Sequence, residues 1–507
     1  MRNRATFSCS WLIFFAFGLA ALGMLTHDLL HNPQKDMDLF VQAFEILQSL
    51  RNGMFIEYLG KTNQLPLPVF ILTVLYGGTI GGMLLTGTLP SVRETEHYLF
   101  VDGPRLIHFE GRFLSLFAAI ATLILLARSS RILFPKTPSW YAPALLCSSV
   151  LFLMHTTAIR PHIFVTFATI LSLFFALRRK PIYSLFTAMA ALVTLPNGVL
   201  SFWFPLWSFR QKYRSLLRPA VCFAMICAVV AAILICYPFF WKSIVRGVAE
   251  GEMGALSFRV LYPFKESGLW MLLHVLGDNL VPAICAVIGS VLLWRKRSPY
   301  AVPLLLYVGT YMVFLGSFVE FPMSFYLPLI PIFALLGAGG MARFPAPLRV
   351  LFFGVIILIN LKMALLWFQP NTYQQAKDFL MTQTEGAIAT NLFQPFLGIP
   401  STRRSIGTPR IEHERYWLSL DTDPPHARDF VKKEQWEDAD VFVSRTGSEP
   451  EGLRSSPDFV QCAKFGSVPR VQDGLLWSDD GFREHILSIR LFQVKRLGPI
   501  IVIYCRT

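Results

Sequence analysis

Between residues 9 and 368 the chain alternates apolar stretches with short polar or basic connections, and after residue 369 that alternation stops. A helix needs about 20 apolar residues to cross a hydrocarbon core, fewer where it is packed among neighbours. On that basis the pattern predicts eleven membrane spans, at 9–27, 112–134, 141–158, 162–177, 182–196, 198–209, 218–241, 269–294, 300–318, 324–343 and 347–368. One further apolar run, 66–89, decides the topology. If it crossed the bilayer, the clusters Arg128/Arg131/Lys136, Arg178/Arg179/Lys180, Arg210/Lys212/Arg214/Arg218 and Arg295/Lys296/Arg297 would lie opposite Arg2 and Arg4. Laid along the outer interface, or re-entering, it leaves all of them with Arg343 and Arg349 on the cytoplasmic side, as the positive-inside bias expects. Pro66, Pro68, Gly77, Gly78, Gly81, Gly82 and Gly87 also argue against an uninterrupted lipid-facing helix. The run is therefore read as an external interfacial segment.

The tail mixes two periods: 373–382 has helical spacing, while 387–390, 440–444 and 500–504 are strand-like. The expected fold is a polytopic α-helical membrane protein with about eleven transmembrane helices over 1–368, then a small soluble extracytosolic α/β domain over 369–507.

Composition agrees with lipid as the solvent. The 507 residues are 54% hydrophobic and 15% charged, against about 25% charged in ordinary soluble proteins. The net charge of +14 does not indicate nucleic-acid binding, because residues 1–368 hold 29 Lys/Arg against 14 Asp/Glu while the tail holds 17 against 18. The excess sits between apolar segments. Arg2 and Arg4 precede an apolar run without a small-residue cleavage site after Leu25, which predicts an uncleaved first span. Cys9, Cys147, Cys222, Cys227, Cys236 and Cys285 fall in or beside apolar segments and show no metal-binding spacing, so they read as packing residues. Cys462 and Cys505 lie in the tail and can pair if it is extracytosolic.

This sidedness places Asp28, Asp36, Asp38, Glu45, Glu57, Glu94, Glu96, Asp102, Glu110, Glu250, Glu252, Glu266 and Glu320 outside. Asp278 falls in the outer half of its span, where it can pair with Arg259 or Lys265, line a groove, or mark a proton path. Two long external connections, 28–111 and 242–268, are where a site is expected. In the first, Leu39, Phe40, Ala43, Ile46 and Leu47 recur at helical spacing behind Asp36 and Asp38, either of which serves as a helix cap. Two carboxylates just beyond a span also stand where a membrane-held leaving group meets water. A carboxylate there can take a proton from a hydroxyl or join a divalent cation.

Several segments, taken in order, resemble the GT-C superfamily of integral-membrane glycosyltransferases, in the group around protein mannosyltransferases and the lipid A aminoarabinose transferase. They are Asp36-Met37-Asp38-Leu39-Phe40-Val41-Gln42-Ala43, Leu65-Pro66-Leu67-Pro68-Val69-Phe70, Gly111-Arg112-Phe113-Leu114-Ser115, the basic Ala127-Arg128-Ser129-Ser130-Arg131-Ile132-Leu133-Phe134, Ala158-Ile159-Arg160-Pro161-His162, and Phe325-Tyr326-Leu327-Pro328-Leu329-Ile330-Pro331. The resemblance runs along roughly the first 370 residues. It implies an inverting transferase that takes sugar from a polyprenyl-phosphate donor, with Asp38 as general base and Asp36 second. Met37 separates two acids that are adjacent in many relatives, and Phe325 stands where a basic residue often precedes the tyrosine.

Leaving-group chemistry asks for cations, since phosphate departure builds negative charge that guanidinium forks stabilise. Arg160 and Arg112 are the preferred pair, with Arg105, Lys61, Arg259 and Lys265 as further donor-phosphate candidates. His108, His155 and His162 read as hydrogen-bonded structural residues. No cofactor follows from the residues; any divalent cation would fall to Asp36 and Asp38. The expected partners are a polyprenyl-phosphate-linked sugar, membrane lipids, and a glycan, lipid or protein acceptor, with no nucleic acid. The expected location is the plasma (inner) membrane, multi-pass, with the catalytic face and tail domain extracytosolic. The competing readings are a transporter or flippase of lipid-linked saccharides, and a membrane scaffold whose tail binds a partner. The paired repeats common in transporters are not visible.

Overall fold

The computed structural model describes residues 2–26, 43, 46–47, 49–50, 53, 67–88, 104–212, 272–273, 275–277, 279–316, 323–370, 372–390, 430–431, 433–445, 449–450, 452–466, 491–492 and 501–507. The expected span at 218–241 lies outside them.

Among the described residues, helices dominate up to residue 367. They are α1 (Arg2–Thr26), α2 (Leu67–Leu85), α3 (Pro104–Leu133), α4 (Tyr141–Leu146), α5 (Val150–His155), α6 (Pro161–Leu177) and α7 (Pro181–Thr194), then α8 (Trp203–Lys212), α9 (Leu280–Arg295), α10 (Ala301–Gly316), α11 (Ile330–Met341) and α12 (Ala346–Trp367). Two 3-10 segments, Pro196–Phe202 and Met323–Leu329, lead directly into α8 and α11. Among the described residues, Leu67–Leu85, Phe109–Leu133, Ser324–Met341 and Ala346–Trp367 are long and apolar enough to cross a membrane, and further apolar helices are shorter.

Two expectations need correction. The stretch 141–158 is two short helices, because Ser149 caps α5 by accepting from the Phe152 amide at 3.2 Å and so ends the run through α4. The run 66–89 holds a continuous helix in spite of its glycines. Where water is scarce the backbone keeps its internal hydrogen bonds, which outweighs glycine's low propensity. Its polar side chains Thr73, Tyr76 and Thr79 recur every three residues on one face, toward α3 and Ala43, while Val74, Leu75 and Leu85 are exposed. The exposed face is apolar, and mid-helix Tyr76 stands beside Gly111.

Helices α1 and α12 pack along one another with their C-terminal ends together, since a side chain added at Gly23 would stand 3.0 Å from Trp367 Cβ. They therefore run parallel, and the chain leaves α12 at the end of the bundle where α1 finishes. At the other end the Arg349 guanidinium donates to the Tyr141 hydroxyl at 2.9 Å. Helices α9 and α11 approach backbone to backbone: a Cβ at Gly289 would lie 2.8 Å from the Leu336 carbonyl carbon, and one at Gly340 would lie 2.9 Å from that of Cys285. Small residues allow this contact, the usual device where lipid removes the hydrophobic drive between helices.

After α12 come α13 (Thr372–Gln383) and five strands: β1 (Ile388–Thr390), β2 (Phe430–Val431), β3 (Val441–Arg445), β4 (Phe459–Phe465) and β5 (Ile501–Arg506). The sheet order is β2-β1-β3-β5-β4, with β1 parallel to β2 and β3 and the other pairs antiparallel. Alternate residues sort to opposite faces: Val441, Val443, Ile501 and Ile503 pack under Ala376 and Leu380 of α13, while Phe442, Val502 and Tyr504 pack with Leu453 and Phe459. Cys462 and Cys505 form a disulfide, with Cα atoms 5.8 Å apart.

Candidate functional site

Three motifs distant in the sequence meet at the end of the bundle where α1 and α12 finish. The junction is Gly111 on α3. A Cβ there would stand 2.6 Å from Ile159 Cδ1 and 2.8 Å from the Tyr76 hydroxyl oxygen, so the missing side chain is what lets α2, α3 and the segment before α6 close on one another. Arg112 follows Gly111, and Arg160 follows Ile159. The contact therefore sets both arginines on adjoining segments.

Both arginines are buried, Arg112 at 5% exposure and Arg160 at 9%. Arg112 Nη1 donates to the Met24 carbonyl at 3.4 Å, in the last turn of α1. A helix leaves its final carbonyls without internal partners and carries partial negative charge there, so a cation fits. Arg160 holds an extended backbone, φ −126° and ψ 150°, at the N-cap of α6. Pro161 explains it, because the residue before proline is pushed out of the helical region and proline suits the first helical position.

The same junction carries two buried histidines. His155 Nδ1 lies 2.9 Å from the Leu151 carbonyl, which can only accept, so that nitrogen carries the hydrogen. Its ring meets His162 edge-on at 5.8 Å, and His162 in turn meets the Phe325 ring at 4.9 Å. Through that contact the third motif, Phe325-Tyr326-Leu327-Pro328, reaches the Arg160 segment, with Tyr326 fully buried beside it. Thr156 and Met24 also touch, tying the start of the Arg160 loop to α1.

Of the residues expected to carry chemistry, Arg112 and Arg160 stand on segments that touch through Gly111 and Ile159. Arg105 lies in the first turn of α3, its side chain outside the described residues. Asp36, Asp38, Lys61, Arg259, Lys265 and Asp278 lie outside them as well. Among the described residues no three metal-ligating side chains gather, and the expected cation ligands Asp36 and Asp38 lie outside those residues.

Two side chains at this end were absent from the expected site. Glu110 accepts a hydrogen bond from the Thr79 hydroxyl, pinning α3 to α2 beside Gly111. Asn197, 2% exposed, joins the 3-10 segment Pro196–Phe202 to the Phe325 carbonyl. The signal for Asn197 was a lone amide in an apolar stretch next to a Pro-Asn-Gly turn sequence. For Glu110 it was the single-face spacing of Thr73, Tyr76 and Thr79.

No family model matches the chain, and no curated protein matches it. Among solved structures the chain is similar to ArnT from Cupriavidus metallidurans bound to undecaprenyl phosphate, at 10% identity, with 97% of each chain covered and a TM-score of 0.49. It is also similar to the apo oligosaccharyltransferase of Archaeoglobus fulgidus, at 11% identity over 85% of this chain and 69% of that one, TM-score 0.43. A third likeness is to the arabinofuranosyltransferase AftD from Mycobacteria, at 13% identity over 79% of this chain and 35% of that one, TM-score 0.32. ArnT and the oligosaccharyltransferase are GT-C glycosyltransferases.

Proposed function

We propose that this chain is a membrane glycosyltransferase that moves a sugar from a polyprenyl-phosphate donor to a hydroxyl of a lipid, glycan or protein acceptor on the extracytosolic face. The observation that carries the reading is the convergence of the Gly111-Arg112, Ile159-Arg160-His162 and Phe325-Tyr326 segments at one end of the bundle. A transporter or scaffold has no need to bury two guanidinium groups on touching segments. A leaving phosphate does, because buried, fixed cations stabilise growing charge far better than hydrated ones.

In the proposed reaction Asp38 takes the proton of the acceptor hydroxyl as its oxygen forms the new bond to the anomeric carbon. The bond from that carbon to the donor phosphate oxygen breaks on the opposite side, so the configuration inverts. The electron pair leaves with the polyprenyl phosphate, whose charge Arg112 and Arg160 hold. Two features support the sidedness. Parallel α1 and α12 direct the tail out at the end of the bundle that carries the two arginines. The Cys462–Cys505 disulfide suits an oxidising compartment.

The test is transfer by the purified full-length protein in nanodiscs, supplied with polyprenyl-phosphate sugars and scored by mass spectrometry. Asp38→Asn is expected to abolish transfer with normal membrane insertion. Arg160→Ala is expected to lower it by about 100-fold or more, on the scale of losing one charge-stabilising donor. Arg160→Lys should recover only part, because a point charge replaces a fork. Movement of a lipid-linked saccharide across sealed vesicles with no glycosidic product would overturn the reading in favour of a flippase.

A further inference from the structure

We infer that Asn197 and Tyr311 form a two-donor clamp on the backbone carbonyl of Phe325, and that this clamp positions the Phe325-Tyr326 motif against the Arg160 segment. The inference rests on the transferase reading. Phe325 lies in the 3-10 segment Met323–Leu329, where each carbonyl looks to the amide three residues on. Three residues on is Pro328, which has no N–H. The amide three residues on therefore cannot serve this carbonyl, which lies in a partly buried place.

Two side chains from other parts of the fold make up for it. Asn197 Nδ2 donates to the Phe325 oxygen at 3.1 Å, and the Tyr311 hydroxyl donates to the same oxygen at 2.5 Å. Asn197 Nδ2 also donates to the Tyr311 oxygen at 2.7 Å, closing a ring of three hydrogen bonds. The orientations are determined. A carbonyl only accepts, so the amide must present nitrogen and the phenol must present its hydrogen. Both side chains are almost wholly buried, at 2% and 0% exposure.

The frame that carries the donors is held independently of them. Thr169 and Ser201 share a hydrogen bond of 2.8 Å, tying the Pro196–Phe202 segment to α6, and Trp203 Nε1 donates to the Thr310 hydroxyl at 3.0 Å, tying the start of α8 to α10. Removing the clamp thus leaves the surrounding helices joined. What it frees is the Met323–Leu329 segment, whose Phe325 ring stands against His162 two residues from Arg160. Asn197 and Tyr311 are accordingly positioning residues: they act through Phe325 and Tyr326, and neither is asked to touch the substrate.

Because either donor alone still serves the carbonyl, the two should compensate. Tyr311→Phe and Asn197→Ala are each expected to lower kcat/KM by no more than about 3-fold, so that independent effects would give no more than about 10-fold together. The double variant is expected to lose about 100-fold, since only then does the Phe325 carbonyl lose both side-chain donors and become free to shift by an ångström. The loss should fall in kcat and in polyprenyl phosphate affinity, and Asn197→Gln in the Tyr311→Phe background should restore part of it. Hydrogen exchange of the 323–329 amides in the same nanodisc preparations supplies a readout that does not depend on activity. Exchange should rise sharply only in the double variant. Additive single effects, or unchanged exchange in the double variant, overturn the clamp. Raised exchange with wild-type transfer and wild-type affinity leaves the clamp as scaffolding and overturns its positioning role. If wild-type protein neither transfers sugar nor binds polyprenyl phosphate, the transferase reading fails and takes the positioning role with it, while the exchange data still report on the clamp.

Discussion

Substituting Gly198 by alanine tests whether the reversal after α7 sets the position of Asn197. Gly198 follows Asn197 in the Pro196–Phe202 segment and packs back on the last turn of α7. An added Cβ would stand 2.6 Å from the Leu192 amide nitrogen, and nearer still to the Ala191 carbonyl group. These are backbone atoms inside a helix, so no rotamer change relieves the clash. Ordinary contact begins near 3.4 Å, which asks for a shift of more than about 1 Å. Overpacking of this kind costs about 1–3 kcal/mol. The opposing gain, from a less flexible unfolded chain, is only about 0.4–1 kcal/mol. Gly198→Ala should therefore be net destabilising, and the shift should carry Asn197 off the Phe325 carbonyl and lower sugar transfer by about 10- to 100-fold. Thermal unfolding in detergent followed by tryptophan fluorescence, together with the nanodisc transfer assay, reads both effects. Gly354→Ala on α12 is the control, because a Cβ there meets nothing within 4 Å, and it should match or exceed wild-type stability. Equal melting of the Gly198→Ala and wild-type proteins, with equal transfer, would refute the reasoning.

Three further outcomes follow from packing and charge. A Cβ at Gly339 would fall 2.6 Å from Phe134 Cζ, so Gly339→Ala should destabilise by about 1–3 kcal/mol, and Phe134→Leu in the same chain should relieve part of that cost in a double-mutant melting cycle. Replacing Cys462 by serine opens a loop closed over 43 residues and should cost the sheet roughly 2–4 kcal/mol, seen as faster proteolysis of the tail with no change in the helical bundle. Burial first, and neighbouring Glu449 second, hold the Tyr504 phenol above its ordinary range. The folded tail thus prefers the protonated phenol, and that contribution is present below the unfolded pKa and lost as pH rises through the folded one. Tyr504→Phe should flatten the alkaline fall in tail stability measured by denaturant titration of the full-length protein.

Helix placement was largely legible because a chain solvated by lipid must write its spans as apolar runs. Misreadings came where local chemistry competes with that rule. The pause at Ser149 is one small polar residue capping a new helix in an otherwise apolar stretch, which hydropathy averages away. The glycines of α2 were given the weight they carry in water rather than in lipid. In the tail, β1, β3 and β5 follow from β-branched alternation. Strand β4 hides its period, because an irregularity between Gln461 and Ala463 breaks the alternation at Cys462, and β2 is only two residues long. Arg112 and Arg160 were identifiable from their motifs, yet the meeting of their segments was not. It depends on Gly111 meeting Ile159, a contact between residues 48 positions apart that no local pattern encodes. The Asn197 clamp was hidden for the same reason: it answers a missing amide at Pro328, more than a hundred residues away.

The helices beside the candidate site are short. At 1.5 Å of rise per residue, the 17 residues of α6 reach about 25 Å and the 14 of α7 about 21 Å, against roughly 30 Å of hydrocarbon in an average bilayer. Helix α6 is enclosed by its neighbours, whereas α7 exposes Ile182, Tyr183 and Phe186, and a lipid-facing segment of that length is expected to draw the leaflets inward beside it. A charged head group on a long isoprenoid tether would then meet the arginines while its tail stays among the acyl chains, and lipids with longer acyl chains should hold it farther off.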